Sequence, residues 1–303
     1  MKRMINFLFT LLLISIPIGC SSSNNDESNY PPGEIDNTFK VMSYNILNGM
    51  KNDNSPNKTT YVNWLKAKDI DILALQEINF VEGLPTSTKI DEEAELKKQA
   101  NRYGHNHVVI LKKPGYKNHI GITSKYPIED VVKVHEGMDH GYIKAKINGY
   151  NILATHLDPY TYENRQREIQ LVLNEIKKSG EQNWILLGDF NSVTPLDEEK
   201  YLNDGNRYLD WLKKYENDGI HHNLVDGKID YSIHQAILDF GLKDALYEIN
   251  PDYSYPKDRA ARIDFIYVSE NLLKKTVKYQ VIEDAFTKKV SDHYPHLIEL
   301  KRN

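Results

Sequence analysis

Asn45, Glu77, His156, Asp189, Asn191, Asp264, Asp292 and His293 are the residues of this 303-residue chain whose types and settings could do chemistry. Most stand in short segments in one order: Ser43-Tyr44-Asn45-Ile46, Leu75-Gln76-Glu77-Ile78, Ala154-Thr155-His156-Leu157, Leu187-Gly188-Asp189-Phe190-Asn191-Ser192 and Ser291-Asp292-His293. Each segment puts a polar residue at or just beyond an apolar run, and such runs read as buried strands. Polar tips of neighbouring strands meet at one rim of a sheet. A rim with the carboxylates of Glu77, Asp189, Asp264 and Asp292 repels itself unless a cation is present. Hard divalent metal and phosphate-ester chemistry fit that composition.

Asp189-Phe190-Asn191 is the most specific of these signals. Gly188 permits a tight turn, and residues two apart share a face while Phe190 packs inward. The carboxylate can take a proton from water that the amide holds. An Asx turn closing a strand is the plainer use of the same tripeptide. Glu77, at a strand end, suits magnesium, and Asn45 has a similar setting. His156 is a polar tip on an apolar strand. Asp264 lies within the apolar run 263–268, where a carboxylate must be paired or bound. Asp292 next to His293 supplies either a hydrogen-bonded imidazole or two metal-facing groups. Arg262 has a neighbouring acid as its plain partner. His105, His107, His221 and His222 fit no common zinc spacing and read as surface residues. Tyr160 and Tyr162 gain no role from spacing.

The elements that must position these residues alternate between strands and helices. Alternation over 39–44 predicts a half-buried strand and the run 70–75 a buried one. Helices are predicted over 60–68, 91–102 and 164–178. The last carries Ile169, Val172, Leu173 and Ile176 at i, i+3, i+4 and i+7 and stops at Ser179-Gly180. Runs at 107–111, 119–123, 130–135, 142–147 and 150–155 read as strands, with Asn148-Gly149 as a hairpin turn. Residues 184–187 feed straight into Gly188-Asp189. Residues 197–250 read mostly as helix and loop, and 263–268, 276–282 and 296–300 as the last strands. Such mixing predicts two sheets packed face to face with helices outside.

The N-terminal stretch reads separately. Lys2 and Arg3 precede an apolar run, 5–18, too short to span a bilayer comfortably, and Gly19-Cys20 follows it. This resembles a bacterial lipoprotein signal with Cys20 as the lipidated residue, although Pro17 stands where Leu is usual. The expectation is a signal peptide over 1–19, a polar tether over 20–37 and one folded domain over 38–303. The protein would then be a membrane-anchored lipoprotein on the periplasmic side or the cell surface, and a monomer. With a single cysteine the domain cannot use disulfides, and its 40 % hydrophobic content must supply a core unaided. A net charge of −5 gives no global attraction to polyphosphate. Lys112, Lys113 and Lys117, Arg165 and Arg167, and Arg259 and Arg262 are candidates for a local basic rim, with solvated surface as their plainer reading.

Taken in order, Ser-Tyr-Asn-Ile, Leu-Gln-Glu-Ile, Thr-His-Leu, Gly-Asp-Phe-Asn-Ser, Arg-Ile-Asp-Phe-Ile and Ser-Asp-His resemble the endonuclease/exonuclease/phosphatase superfamily. Ser124-Lys125-Tyr126-Pro127-Ile128 resembles its middle stretch. The resemblance covers nearly all of 38–300. It implies an α/β, four-layer αββα sandwich of two mixed sheets and a Mg²⁺- or Mn²⁺-dependent phosphoester hydrolase. By the same resemblance Glu77 and Asn45 would hold the metal, Asp189 would activate water and Asn191 would orient it. Asp264 would support the leaving side or a second metal. His293, oriented by Asp292, would stabilise the phosphorane, and His156 would contact the phosphate or protonate the leaving oxygen. The leading expectation is a nuclease-like phosphodiesterase outside the cytoplasm, with nucleic acid as a candidate partner. The alternatives are a phospholipid or sphingomyelin phosphodiesterase, a sugar or inositol phosphatase, and an inactive binding protein. Residues 256–262 depart from the segment expected of an inositol phosphatase.

Overall fold

Which side of a strand each apolar residue takes decides which layer it fills. In the first strand, β1 (Thr38–Asn45), Phe39 and Val41 point to one core while Met42 and Tyr44 point to another. The second, β2 (Ile72–Ile78), does the same with Ile72 and Ala74 against Leu73 and Leu75. Strands buried on both faces in this way must have layers on both sides. The structure is a computed structural model that describes residues 37–84, 89–216 and 218–302. The expected signal peptide, with Cys20, and the tether up to residue 36 lie outside the described residues.

The remaining strands are β3 (His107–Leu111), β4 (His119–Ser124), β5 (Ile128–Val134), β6 (Gly141–Ile147), β7 (Tyr150–His156), β8 (Trp184–Asp189), β9 (Leu224–Val225), β10 (Lys228–Ile229), β11 (Lys243–Asp244), β12 (Asp264–Val268), β13 (Thr276–Val281) and β14 (His296–Lys301). One six-stranded sheet runs β13-β14-β1-β2-β4-β3 and the other β11-β12-β8-β7-β6-β5. Both are mixed, since β1–β2 and β7–β8 are parallel and their other pairs antiparallel. Their facing sides meet in a core that includes Val41, Ile122, Ile143, Ile185 and Ile266.

Helices close the two outer faces. Thr59–Lys68 and Glu92–Arg102 lay Tyr61, Leu65, Leu96 and Ala100 on Leu73 and Leu75. Tyr162–Ser179 and Ser232–Asp239 lay Ile169, Val172, Ile233 and Ile237 on Leu186 and Phe265. Full burial of each such side chain contributes roughly 1.5–3 kcal/mol. The four-layer sandwich is the architecture expected from sequence.

Boundaries shift where caps and turns outvote periodicity. Tyr162–Ser179 begins two residues before the expected 164, because Thr161 caps it through Asn164 N. β5 begins at Ile128, before the expected 130, because a bulge with Asp130 at φ 50° absorbs the break in alternation. Asn148 and Gly149 have φ of 50° and 80°, the hairpin turn their sequence requires. His105 is not at the surface: it is buried, its Nε2 donates to Ile70 O at 2.7 Å and its Nδ1 accepts from Thr123 Oγ1 at 2.7 Å. Arg165 and Arg262 are also buried rather than solvated. Arg262 is clamped between Asp197 and Asp244, with 2.7 Å contacts to each, and so takes the neighbouring-acid partnership.

Candidate active site

Strand register assembles the site. The parallel β7–β8 pair puts His156 opposite Asp189, and the antiparallel β8–β12 pair puts Asp264 opposite Asp189. Three strands thus lay His156, Asp189 and Asp264 in one row across the second sheet. Gly188 makes the row tight. Its φ is 149°, and a Cβ there would lie 1.9 Å from Thr155 O, so no side chain fits.

The first sheet contributes Asn45, at the end of β1, and Glu77, in a bulge of β2. Asn45 is fully buried and bridges the sheets: its Nδ2 donates to Glu77 Oε1 at 2.9 Å and to Asp189 Oδ2 at 3.0 Å. Glu77 is held at φ 59°, a conformation costly for a residue with a Cβ. The next segment is strained as well. Leu47, Asn48, Gly49 and Met50 all have positive φ, between 42° and 68°. This left-handed turn lets Asn48 N donate to Glu77 Oε2 at 3.0 Å and Leu47 N to Asn45 Oδ1 at 3.1 Å. Gly49 fits because a Cβ there would strike Asn79 O at 2.0 Å. Strain of this kind persists only where surrounding structure enforces it, and it gathers at functional sites.

Asp189 Oδ2 is the meeting point. Besides Asn45 it faces His156 Nε2 at 3.5 Å and His293 Nε2 at 3.7 Å, while Oδ1 accepts from Asn191 N at 2.9 Å. Asn191 has φ 48° and anchors its side-chain amide on Leu157 O at 2.9 Å. His293 comes from the loop before β14, and its Nδ1 lies 2.7 Å from Asp264 Oδ2. The expectation that Asp292 orients His293 is therefore corrected: Asp292 is 64 % exposed and 4.0 Å away on the other nitrogen. A buried carboxylate holds an imidazole better than a solvated one because no water competes. Burial opposes charge on His293, but Asp264 and Asp189 outweigh it and raise its pKa well above the ordinary histidine value. Burial pushes Asp264 up to about 6, against the pull of His293. His156 moves the other way, down to about 3, through burial and then the charge of His293. The two imidazoles are thus pushed in opposite directions, His293 toward the charged form and His156 toward the neutral one.

One residue escaped sequence reading. His140 stacks on His156 with ring centroids 3.8 Å apart and planes 8° from parallel. The Asn148-Gly149 hairpin register, which sets Gly141 opposite His156, was the available signal. His140, His156, Asp189, His293, Glu77 and Asn48 line one cleft of about 500 Å³.

The donor set suits a metal ion. Asp264 Oδ1 is buried with no hydrogen-bond partner among the described residues. Asp189, Asp264 and His293 offer ligand atoms within 4.8 Å of one another, and Glu77 adds a third carboxylate beside Asp189. Oxygen-rich, net-anionic donors fit a hard divalent cation. Asn45, assigned to the metal from sequence, spends its amide N–H groups and an oxygen lone pair on Glu77, Asp189 and Leu47 N.

The architecture has solved counterparts. An AP endonuclease from Archaeoglobus fulgidus aligns with a TM-score of 0.59 at 23 % identity, over 86 % of this chain and 99 % of its own. A 3'-5' exonuclease from Neisseria meningitidis gives 0.59 at 22 %, over 87 % and 100 %. An endonuclease/exonuclease/phosphatase family protein from Bacteroides thetaiotaomicron gives 0.56 at 17 %, over 88 % and 95 %. At these identities the likeness is one of fold. No curated protein matches the chain in sequence. The family model for the Endonuclease/Exonuclease/phosphatase family matches residues 42–293, which contain every site residue described above, and the chain belongs to that family.

Proposed function

We propose that this protein is a divalent-metal-dependent phosphodiesterase of nuclease type. The observation that carries the reading is the single carboxylate oxygen, Asp189 Oδ2, on which Asn45, His156 and His293 converge at 3.0, 3.5 and 3.7 Å. Asp189 would accept a proton from an attacking water, and its second oxygen is held by Asn191 N. His293, kept cationic by Asp264, meets the charge that develops on the phosphoryl oxygens. His156, neutral at pH 7, donates or accepts without adding charge. Glu77, Asp264 and Asp189 would hold Mg²⁺ or Mn²⁺, which when bound supplies charge neutralisation at the phosphate. Neighbours described as an AP endonuclease and a 3'-5' exonuclease support nucleic acid as the substrate class.

The test is hydrolysis of bis-p-nitrophenyl phosphate and of a labelled oligonucleotide with Mg²⁺ or Mn²⁺, and again after chelation. Asp189→Asn and His293→Ala should each lower kcat about 10²-fold or more, by analogy with other transition-state donors, with KM little changed. Circular dichroism checks that both variants fold. Full activity in chelator, or a folded variant with wild-type kcat, would overturn the reading. We further propose that the enzyme works outside the cytoplasm as a lipoprotein anchored through Cys20.

A further inference from the structure

A second cleft, of about 550 Å³, opens from the same site: Asp264, His293 and Asn191 form part of its lining, and Trp211 and Tyr215 stand in its wall. Those two rings come from the helix Arg207–Tyr215, an element that carries none of the catalytic groups. Trp211 and Tyr215 are one helical turn apart and so share a face. Their exposure, 45 % and 40 %, is high for rings of their size. They belong to a continuous series. Tyr208 stacks under Trp211 with centroids 6.1 Å apart and planes at 12°, Trp211 meets Tyr215 at 5.2 Å, Tyr215 meets His221 at 5.5 Å, and His221 meets Tyr160 at 5.5 Å. Tyr160, 42 % exposed, also lines the catalytic cleft. The series therefore runs from the rim of the catalytic cleft along the wall of the second.

Cations accompany the rings. A further cleft of about 470 Å³ shares Trp211, Arg259 and Asp258 with the second and adds Lys214, Arg207 and Asp210. Arg259 is paired with Asp258 at 3.2 Å and Arg207 with Asp204 at 2.9 Å. Arg207 donates through both terminal nitrogens to Lys257 O and Arg259 O, which fixes the loop carrying Arg259 against the helix. Arg259 in turn lies 4.6 Å over the Tyr294 ring. Exposed rings flanked by Lys214 and by the already paired Arg207 and Arg259, in a groove continuous with a phosphoester site, match what a flexible strand presents, flat base faces beside phosphates, with the rings rather than the arginines as the main contact. An acyl chain would ask for aliphatic lining and gain nothing from the cations, and a paired duplex keeps its base faces inside.

Resting on the phosphodiesterase reading, we propose that the helix Arg207–Tyr215 is a stacking platform for unpaired bases of a single-stranded nucleic acid whose scissile phosphate lies at Asp189 and His293. Specificity for a base-bearing strand would then come from Trp211 and Tyr215, and the reaction itself from the strand-end residues.

The experiment measures binding by fluorescence anisotropy in the Asp189→Asn protein, whose turnover should be slowed about 10²-fold or more. The probes are a thymidine 12-mer and a 12-mer of abasic tetrahydrofuran units. The two carry equal phosphate charge, so electrostatics cancel and the ratio of affinities reads base stacking. The thymidine strand should bind roughly tenfold tighter and quench tryptophan emission. Adding Trp211→Ala should bring the ratio close to one, and Trp211→Phe should restore most of it, which a merely misfolded variant would not do. Equal affinity for both strands, an unchanged ratio in Trp211→Ala, a duplex bound as tightly as the single strand, or capture by sphingomyelin vesicles that the thymidine strand does not displace would each overturn the proposal. Hydrolysis of bis-p-nitrophenyl phosphate is read separately. If it proceeds while the ratio is one, the phosphodiesterase stands and the platform falls. If the ratio holds without hydrolysis of any diester, the catalytic reading falls, and with it the placing of the scissile phosphate.

Discussion

At the scale of single residues, burial sets the protonation states on which this protein depends. His105 lies between Ile70 O and Thr123 Oγ1, and Tyr103 OH lies 3.2 Å from the same hydroxyl. The carbonyl needs an N–H on Nε2, so Nδ1 must be the acceptor. Burial holds this imidazole down to about 4. Burial likewise holds His234, between Ser192 Oγ and Tyr267 OH, down to about 3. A depressed folded-state pKa gives stability that is present above the unfolded value of 6.5 and is lost as pH falls toward the folded value. The fold should therefore weaken progressively between pH 6.5 and about 4, by on the order of 2 kcal/mol per histidine at pH 5. Urea midpoints from pH 7.5 to 5 check this. His105→Gln should flatten the slope while lowering stability at neutral pH. A midpoint independent of pH over that range would show that these histidines are not held neutral.

At the scale of elements, close approach of backbones counts as much as side-chain pattern. Gly188 and Gly149 both have φ in the range that disfavours other residues, 149° and 80°. Their surroundings differ. A Cβ at Gly149 meets nothing within 4 Å, whereas at Gly188 it meets Thr155 O at 1.9 Å. Gly149→Ala should cost about 1 kcal/mol through conformation alone. Gly188→Ala should cost about 3 kcal/mol and displace Asp189 from His156, so activity falls with stability. Equal urea shifts for the two variants would mean that β7 and β8 separate easily and that the row of site residues is not fixed by their contact.

At the scale of the whole molecule, each sheet brings one half of the site and the long interval between Asn45 and Asp189 is closed by one amide. The site exists only when the sandwich is packed, so activity and global unfolding should report together. The proposed anchor at Cys20 concerns where that sandwich would work. If Cys20 is lipidated, the wild-type protein should partition with membranes and Cys20→Ser should be released or left unprocessed, as membrane fractionation and intact mass would read. A wild-type protein found wholly soluble with residues 1–19 uncut would rule the anchor out.

Sequence by itself determined the layers and the rim. The apolar runs at 70–75, 150–155 and 184–187 specify buried strands, because apolar area leaves water wherever it sits in the fold. The alternation at 39–44 reads as a half-buried strand, and only the packing of a layer on each side buries Phe39 and Val41 in one core and Met42 and Tyr44 in another. Strand-end Asp, Asn and His then have one rim to occupy, so Asn45, Glu77, His156, Asp189, Asn191 and Asp264 were legible. Tertiary structure decided the partnerships. Asp292 is adjacent to His293 in the chain, yet Asp264, 29 residues away, holds it, since register and burial choose a hydrogen-bond partner and adjacency does not. His140 joined His156 through a hairpin pairing, and Arg262 found Asp197 and Asp244 across the core. The aromatic face of Arg207–Tyr215 carries no mark in its sequence, where rings at helical spacing read as core. Only packing, by leaving Trp211 and Tyr215 in the wall of a cleft, decided that they meet solvent.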